Sequence, residues 1–124
     1  ARLNPRALAY PYEAARQCQW KGKYQESLEF LNSIISYNPE YKRTGFLLGF
    51  AYQKLGKNDL AISTYEQFLK KKPTDYQAHF NLAFALMVKG EYQKAIERFN
   101  AVLKLRPNYN EVKIHLENCK KNLK

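Results

Sequence analysis

The sequence predicts an all-α fold: a right-handed α-solenoid of three helix–turn–helix units, finished by a C-terminal capping helix. Three observations predict it. Gly22, Gly56 and Gly90 stand 34 residues apart, and Pro39, Pro73 and Pro107 keep the same period. The segments between each glycine and its proline, 23–38, 57–72 and 91–106, have one length. Within them apolar residues recur at helical spacing, as in Ala61, Tyr65 and Phe68–Leu69, then Ala95, Phe99 and Leu103. A fixed period of this size marks stacked repeats, in which each unit buries a face only against its neighbours.

The period places units at 8–41, 42–75 and 76–109, preceded by 1–7 and followed by 110–124. In the leading segment Leu3 and Pro5 stand one period before Tyr37 and Pro39. Residues 1–7 therefore read as the tail of a preceding repeat or an N-terminal extension, and the chain as the closing section of a longer array. The first unit carries Pro11 in its leading helix, which is tolerable only within the first turn. In the second unit a helix is expected from Phe46 to Leu55. Gly56 supplies the left-handed residue that ends it. A second helix, about 58–71, is expected to stop before Pro73, which cannot continue it. The third unit repeats the pattern with Leu82 and Leu86, Gly90, Ala95, Phe99 and Leu103, then Pro107. Residues 110–124 read as a solitary helix with Val112, Leu116, Cys119 and Leu123 on one stripe and polar residues elsewhere, as a cap requires.

With 124 residues, 45% hydrophobic and 26% charged, the chain has the balance of one globular domain. No apolar run approaches the ~20 residues of a membrane-spanning helix, and the N-terminus does not read as a signal peptide. The compartment is open, with the cytoplasm favoured, and a leader or anchor ahead of Ala1 is compatible with the sequence. Cys18 and Cys119 lie far apart without metal-type spacing, and both read as small buried packing residues. The net charge of +10 is the compositional oddity. Lys70, Lys71 and Lys72, and Lys120, Lys121 and Lys124, fall at helix ends, where cations suit the negative end of the dipole. Lys42, Arg43, Lys54 and Lys57 remain to attract an acidic partner or an anionic surface.

These residues resemble the tetratricopeptide repeat (TPR) family, whose signature runs Leu-Gly-x-x-Tyr, Ala-x-x-x-Phe and Pro. The second unit has Leu48-Gly49-x-x-Tyr52, Ala61-x-x-x-Tyr65 and Pro73; the third has Leu82-Ala83-x-x-Leu86, Ala95-x-x-x-Phe99 and Pro107. The first is degenerate, with Ala14-Ala15-x-x-Cys18, Ser27-x-x-x-Leu31 and Pro39. The family's leading Trp is replaced by Pro11, Gly45 and His79. The small residues would let paired helices approach closely.

At ~100° per residue, Leu48, Ala51, Tyr52 and Leu55 form the core stripe of their helix, while Phe50 falls beside Phe46 on the opposite side. Phe80, Phe84 and Met87 match them in the third unit, Tyr12, Arg16 and Gln19 in the first, with Trp20 at the edge, and Ile114 and Asn118 in the last helix. Gln53 completes the set. The resemblance implies that these positions line a concave groove where partners lie. Packing between neighbouring leading helices remains an alternative for Phe46 and Phe80. Relatives that grip a carboxylate terminus use Lys, Asn and Arg on this face; here the matching residues are Tyr12, Arg16, Leu47, Gln77 and Asn81, of which only Arg16 is cationic. The expected partner is another protein or peptide, presenting an extended or helical segment, apolar or aromatic with an acidic flank. Self-association is the alternative. A nucleic-acid partner is disfavoured, because the aromatics are paired with neutral groups such as Gln53, Asn81 and Met87.

No enzyme activity, cofactor or metal is expected. His79 occupies the family's large leading position and reads as packing. His115 and Cys119, at i and i+4, could begin a metal site, but Cys119 belongs to the apolar stripe. The glycines follow the repeat rather than a phosphate-binding loop.

Overall fold

A computed structural model describes residues 5–123. The fold is an all-α helical repeat, and the described residues hold a short 3-10 helix (Pro5–Leu8), seven α-helices and no strand. The helices are α1 (Ala9–Trp20), α2 (Tyr24–Tyr37), α3 (Thr44–Lys54), α4 (Asn58–Lys71), α5 (Tyr76–Lys89), α6 (Tyr92–Leu105) and α7 (Asn110–Lys121). The chain divides into two compact units, residues 1–64 and 65–124, and the division falls within α4. Residues 1–4, which carry part of the expected tail of an earlier repeat, lie outside the described residues, as does residue 124.

In the first unit α2 packs against both α1 and α3. Pro11 is the third residue of α1 and so lies within its first turn, where proline is tolerated. Ala15, Leu28, Leu31, Leu48 and Ala51 form the buried core, with Tyr24, Phe30, Ile35, Leu47, Tyr52 and Leu55 packed around it. Ala15 and Gly49 are buried, so no large side chain separates the helices at those points. Helix α1 ends on two turn hydrogen bonds: Gly22 N–H donates to Gln19 O (3.0 Å) and Lys23 N–H to Cys18 O (2.7 Å). That pair requires a left-handed residue between them, and Gly22 has φ of 77°. The same two bonds recur at Gly56, from Gly56 to Gln53 O (3.1 Å) and Lys57 to Tyr52 O (2.9 Å), with φ of 78°.

Helix α3 begins at Thr44, two residues before the sequence places it, yet two residues later in register than α5 begins. The capping chemistry accounts for the second difference. At α5 the Asp75 side chain accepts a hydrogen bond from Ala78 N–H (3.1 Å) and caps the first turn. Tyr41 fills the equivalent position and cannot do this. Lys42 instead takes a left-handed conformation (φ 44°), and the buried Thr44 hydroxyl donates back to Tyr41 O (2.6 Å). Cys18 is half-buried rather than buried, unlike the expectation.

In the second unit α6 packs against both α5 and α7. Tyr65, Leu82, Ala83, Ala95, Phe99, Val102, Val112 and Cys119 are fully buried there. The Tyr65 hydroxyl receives a hydrogen bond from Asn81 Nδ2 (3.3 Å), and burial pushes its phenol far above the usual range. His79 is buried, and its Nε2 lies 2.8 Å from Pro73 O. A carbonyl only accepts, so Nε2 carries the proton and the ring ties the α4–α5 connection to α5. On α7, Val112, Leu116 and Cys119 are buried as the stripe predicts, and burial raises the Cys119 thiol pKa. Leu123 departs from it: the helix stops at Lys121, and Leu123 is exposed. Gly90 closes α5 as Gly22 closes α1, with Glu91 N–H donating to Leu86 O (2.9 Å).

A Cβ built on Gly56 would meet nothing within 4 Å, so the conformation alone demands glycine there. Gly56→Ala is therefore expected to lower stability by about 1 kcal/mol, and Gly56→Asn by less, because Asn tolerates the left-handed region. Urea unfolding followed by circular dichroism measures both.

Candidate partner-binding surface

Helices α1 and α3 build the first unit's candidate face. Phe46 and Phe50 lie one turn apart on α3, and their rings stack with centroids 6.4 Å apart and planes at 9°. Local spacing supplies each ring with a cation. The Arg43 guanidinium sits 4.1 Å from the Phe46 centroid, and the Lys54 ammonium 5.4 Å from that of Phe50. From α1, Tyr12 meets Tyr41 edge-on at 5.5 Å, and Lys42 lies 5.4 Å and 5.6 Å from the two rings. The Tyr12 hydroxyl also accepts a hydrogen bond from Arg43 N–H (3.3 Å). Each cation–ring contact at an exposed site is worth about 0.5–1 kcal/mol.

Next to these rings Arg16, Gln19, Trp20, Tyr24, Leu47 and Phe50 line an open hollow of about 340 Å³. Tyr24 comes from α2 and meets Phe50 edge-on at 5.9 Å. Gln19 is held by two bonds from Nε2, to Leu47 O (2.8 Å) and Ser27 Oγ (3.4 Å). Arg16 pairs with Glu13 at 3.1 Å, with both side chains more than half exposed. Trp20, at 87% exposure, stands at the rim almost without cover.

In the second unit the rings gather around His115 of α7. Phe80 and Phe84 of α5 both meet it edge-on at 5.8 Å, and Phe99 of α6 stacks on it at 5.5 Å. Phe80 also stacks on Tyr109 at 5.6 Å and meets Phe99 at 5.8 Å. The imidazole thus packs as a flat ring, and its Nδ1 is buried without a hydrogen-bond partner. Among the described residues no group of three or more His, Cys, Asp or Glu is arranged to hold a metal.

The expected site residues divide accordingly. Arg16, Gln19 and Phe50 come together in one hollow, while Tyr12 and Phe46 lie within the ring and cation cluster of the same unit. Gln53 is half-buried on α3. Phe80 and Phe84 are joined through His115; Phe80 is half-buried and Phe84 is 37% exposed. Met87 is half-buried on α5, and Ile114 (63% exposed) and Asn118 lie one turn apart on the outer side of α7. Helix-wheel reasoning about leading helices omits Tyr24, which belongs to α2, and treats Lys42, Arg43 and Lys54 as general charge. Their separations of three and four residues from Phe46 and Phe50 were the available signal.

Replacing His115 by Phe removes the unsatisfied nitrogen and keeps a ring for the three phenylalanines. His115→Phe should leave the melting temperature unchanged or raised, whereas His115→Ala should destabilise the second unit by about 2 kcal/mol through the cavity it opens. Thermal and urea unfolding distinguish the two.

A family model described as Tetratricopeptide repeat matches residues 46–110. The chain is similar to the anaphase-promoting complex subunit CDC16 of Saccharomyces cerevisiae, with 31% identity over 72 residues, 58% of this chain. It spans only 9% of that relative's length. Among solved structures it resembles the type III secretion chaperone SycD of Yersinia enterocolitica in complex with a peptide of the translocator YopD. The TM-score is 0.88 at 23% identity, over 95% of each chain. It also resembles the second TPR domain of the human RPAP3 protein in complex with the HSP70 peptide SGPTIEEVD. There the TM-score is 0.86 at 20% identity, over 94% of this chain and 98% of that one.

Proposed function

We propose, from the premise that this chain belongs to the tetratricopeptide repeat family, that it is a protein-interaction module whose first unit binds an apolar or aromatic peptide segment with an acidic flank. Two structural neighbours were solved with peptides of other proteins, which supports the general reading. The finer reading rests on one observation. Tyr12, Phe46 and Phe50 each lie under a cation, so apolar surface and positive charge alternate across the same face. Such a surface favours a ligand that contributes both an apolar side chain and a carboxylate, since either alone leaves half of the face unused. The net charge of +10 adds long-range attraction for an acidic segment.

The peptide's free carboxylate terminus is not the preferred ligand in this reading. Of Tyr12, Arg16, Leu47, Gln77 and Asn81, only Arg16 is a cation. An internal segment, carrying its negative charge on side chains, fits the distribution better.

Titration calorimetry with blocked peptides tests this. A segment with a central Phe between acidic residues should bind at least about tenfold more tightly than the same segment between lysines, and less tightly as salt rises. Phe50→Glu should abolish binding while helicity by circular dichroism stays intact. Equal affinity for acidic and basic flanks would overturn the electrostatic reading, and a collapse of helicity in Phe50→Glu would make Phe50 a core residue. A mass that falls on dilution in size-exclusion runs would replace the peptide by a second copy of the chain.

A further inference from the structure

The polar groups around the first unit's hollow have directions that follow from their neighbours. Ser27 Oγ lies 2.7 Å from Tyr24 O, and a carbonyl can only accept, so the hydroxyl donates there. The Ser27 oxygen then accepts from Gln19 Nε2 at 3.4 Å. The same nitrogen lies 2.8 Å from Leu47 O, a second carbonyl. Both amide hydrogens of Gln19 are thus spent inside the unit. A flipped amide would set its oxygen against the Leu47 oxygen, so the orientation is fixed. What Gln19 retains for a ligand is Oε1, an acceptor.

Arg16 lies one turn back along α1 and commits Nη1 to Glu13 at 3.1 Å. A guanidinium carries five N–H donors, so Arg16, which lines the hollow, keeps donors beyond the Glu13 pair. The hollow therefore combines one acceptor and one cationic donor with apolar walls from Trp20, Tyr24, Leu47 and Phe50. Its volume of about 340 Å³ suits a single side chain with its adjoining backbone. An apolar anchor brings no hydrogen-bond donor of its own. The donor nearest to it in any peptide is a backbone N–H, which must find an acceptor if it is taken out of water.

Building on the peptide-binding reading, we infer that this hollow recognises one anchor residue of an acidic segment through its main chain as well as its side chain. The aromatic or large aliphatic anchor seats between Trp20 and Phe50. The backbone N–H of the anchor or of the residue after it donates to Gln19 Oε1, and a flanking carboxylate meets Arg16. Gln19 is a specificity residue here: it selects a peptide amide, where an unadorned apolar hollow would accept any greasy group.

The chain has a single tryptophan, and Trp20 stands at the rim, so its fluorescence reports occupancy directly. The probe is acetyl-Glu-Asp-Phe-Asp-Glu-amide, compared with versions N-methylated at one amide each. Binding of the parent peptide should shift Trp20 emission to the blue. Methylation at the Phe amide or the next one should weaken binding about tenfold, the loss of one hydrogen bond, with little effect elsewhere. In Gln19→Met, which keeps the length and loses the acceptor, that penalty should vanish. Affinity indifferent to methylation at every amide overturns this inference and leaves the peptide-binding reading standing. Absence of any shift or heat at millimolar peptide overturns both. The methylation series uses the unaltered chain, so it decides the question even where Gln19→Met fails to fold.

Discussion

The reversal of the chain at Gly22, Gly56 and Gly90 is the constraint on which the rest depends. Each glycine takes a left-handed conformation, and the two hydrogen bonds flanking it satisfy carbonyls that a helix end would otherwise leave bare. A turn this short sends the next helix back along the one before it, and two helices so joined must touch along a narrow line. Large side chains cannot stand on that line. Ala15, Gly49 and Ala83, one period apart, are all buried, as are Ser27, Ala61 and Ala95. The small residues and the glycines are therefore one requirement expressed at two places in the period.

Closing the helices on their small faces leaves the large rings on the other side, and the two units accommodate them differently. In the first, Arg43 and Lys54 lie over Phe46 and Phe50. The two rings stack on each other, Phe50 also meets Tyr24, and each is bordered by a cation. In the second, Phe80, Phe84 and Phe99 converge on His115, so the rings serve largely to join three helices. One register position thus has two outcomes. On α7 the matching positions, Ile114 and Asn118, are exposed, and the neighbouring His115 is the ring that meets Phe80 and Phe84. One period earlier Asn81 stands where His115 does and bonds to Tyr65 instead.

Much of this was legible in the sequence wherever a residue dictates its own backbone. Helix α4 runs Asn58–Lys71, as the flanking Gly56 and Pro73 require. The face shared by Phe46 and Phe50 follows from helical angle alone and appears as a stacked pair. The start of α3 was not legible, because it depends on a missing cap: Tyr41 stands where Asp75 stands one period later, and Lys42 absorbs the difference. Leu123 kept the spacing of the α7 stripe, but spacing does not say where a helix ends. Tyr24, which comes from α2, was hidden from the candidate site for another reason. A wheel drawn for one helix cannot show which residues of the next two close over it.

Gln19 illustrates what this implies for specificity in such a fold. On a helical wheel it is one more polar residue on the outer side of α1. Its meaning comes from two acceptors on other elements, Ser27 and the Leu47 carbonyl, which take its hydrogens and leave its oxygen. The Leu47 carbonyl has two lone pairs, so it can hold Gln19 and still serve its own helix. The amide consequently ties α1 to α3 and fixes the direction of its own oxygen at the same time. Removing it disturbs both roles, which is why the length of the replacement side chain matters as much as its polarity. The period sets where the helices go, and contacts of this kind, made between helices and invisible along any one of them, set which polar atoms the face between them leaves over.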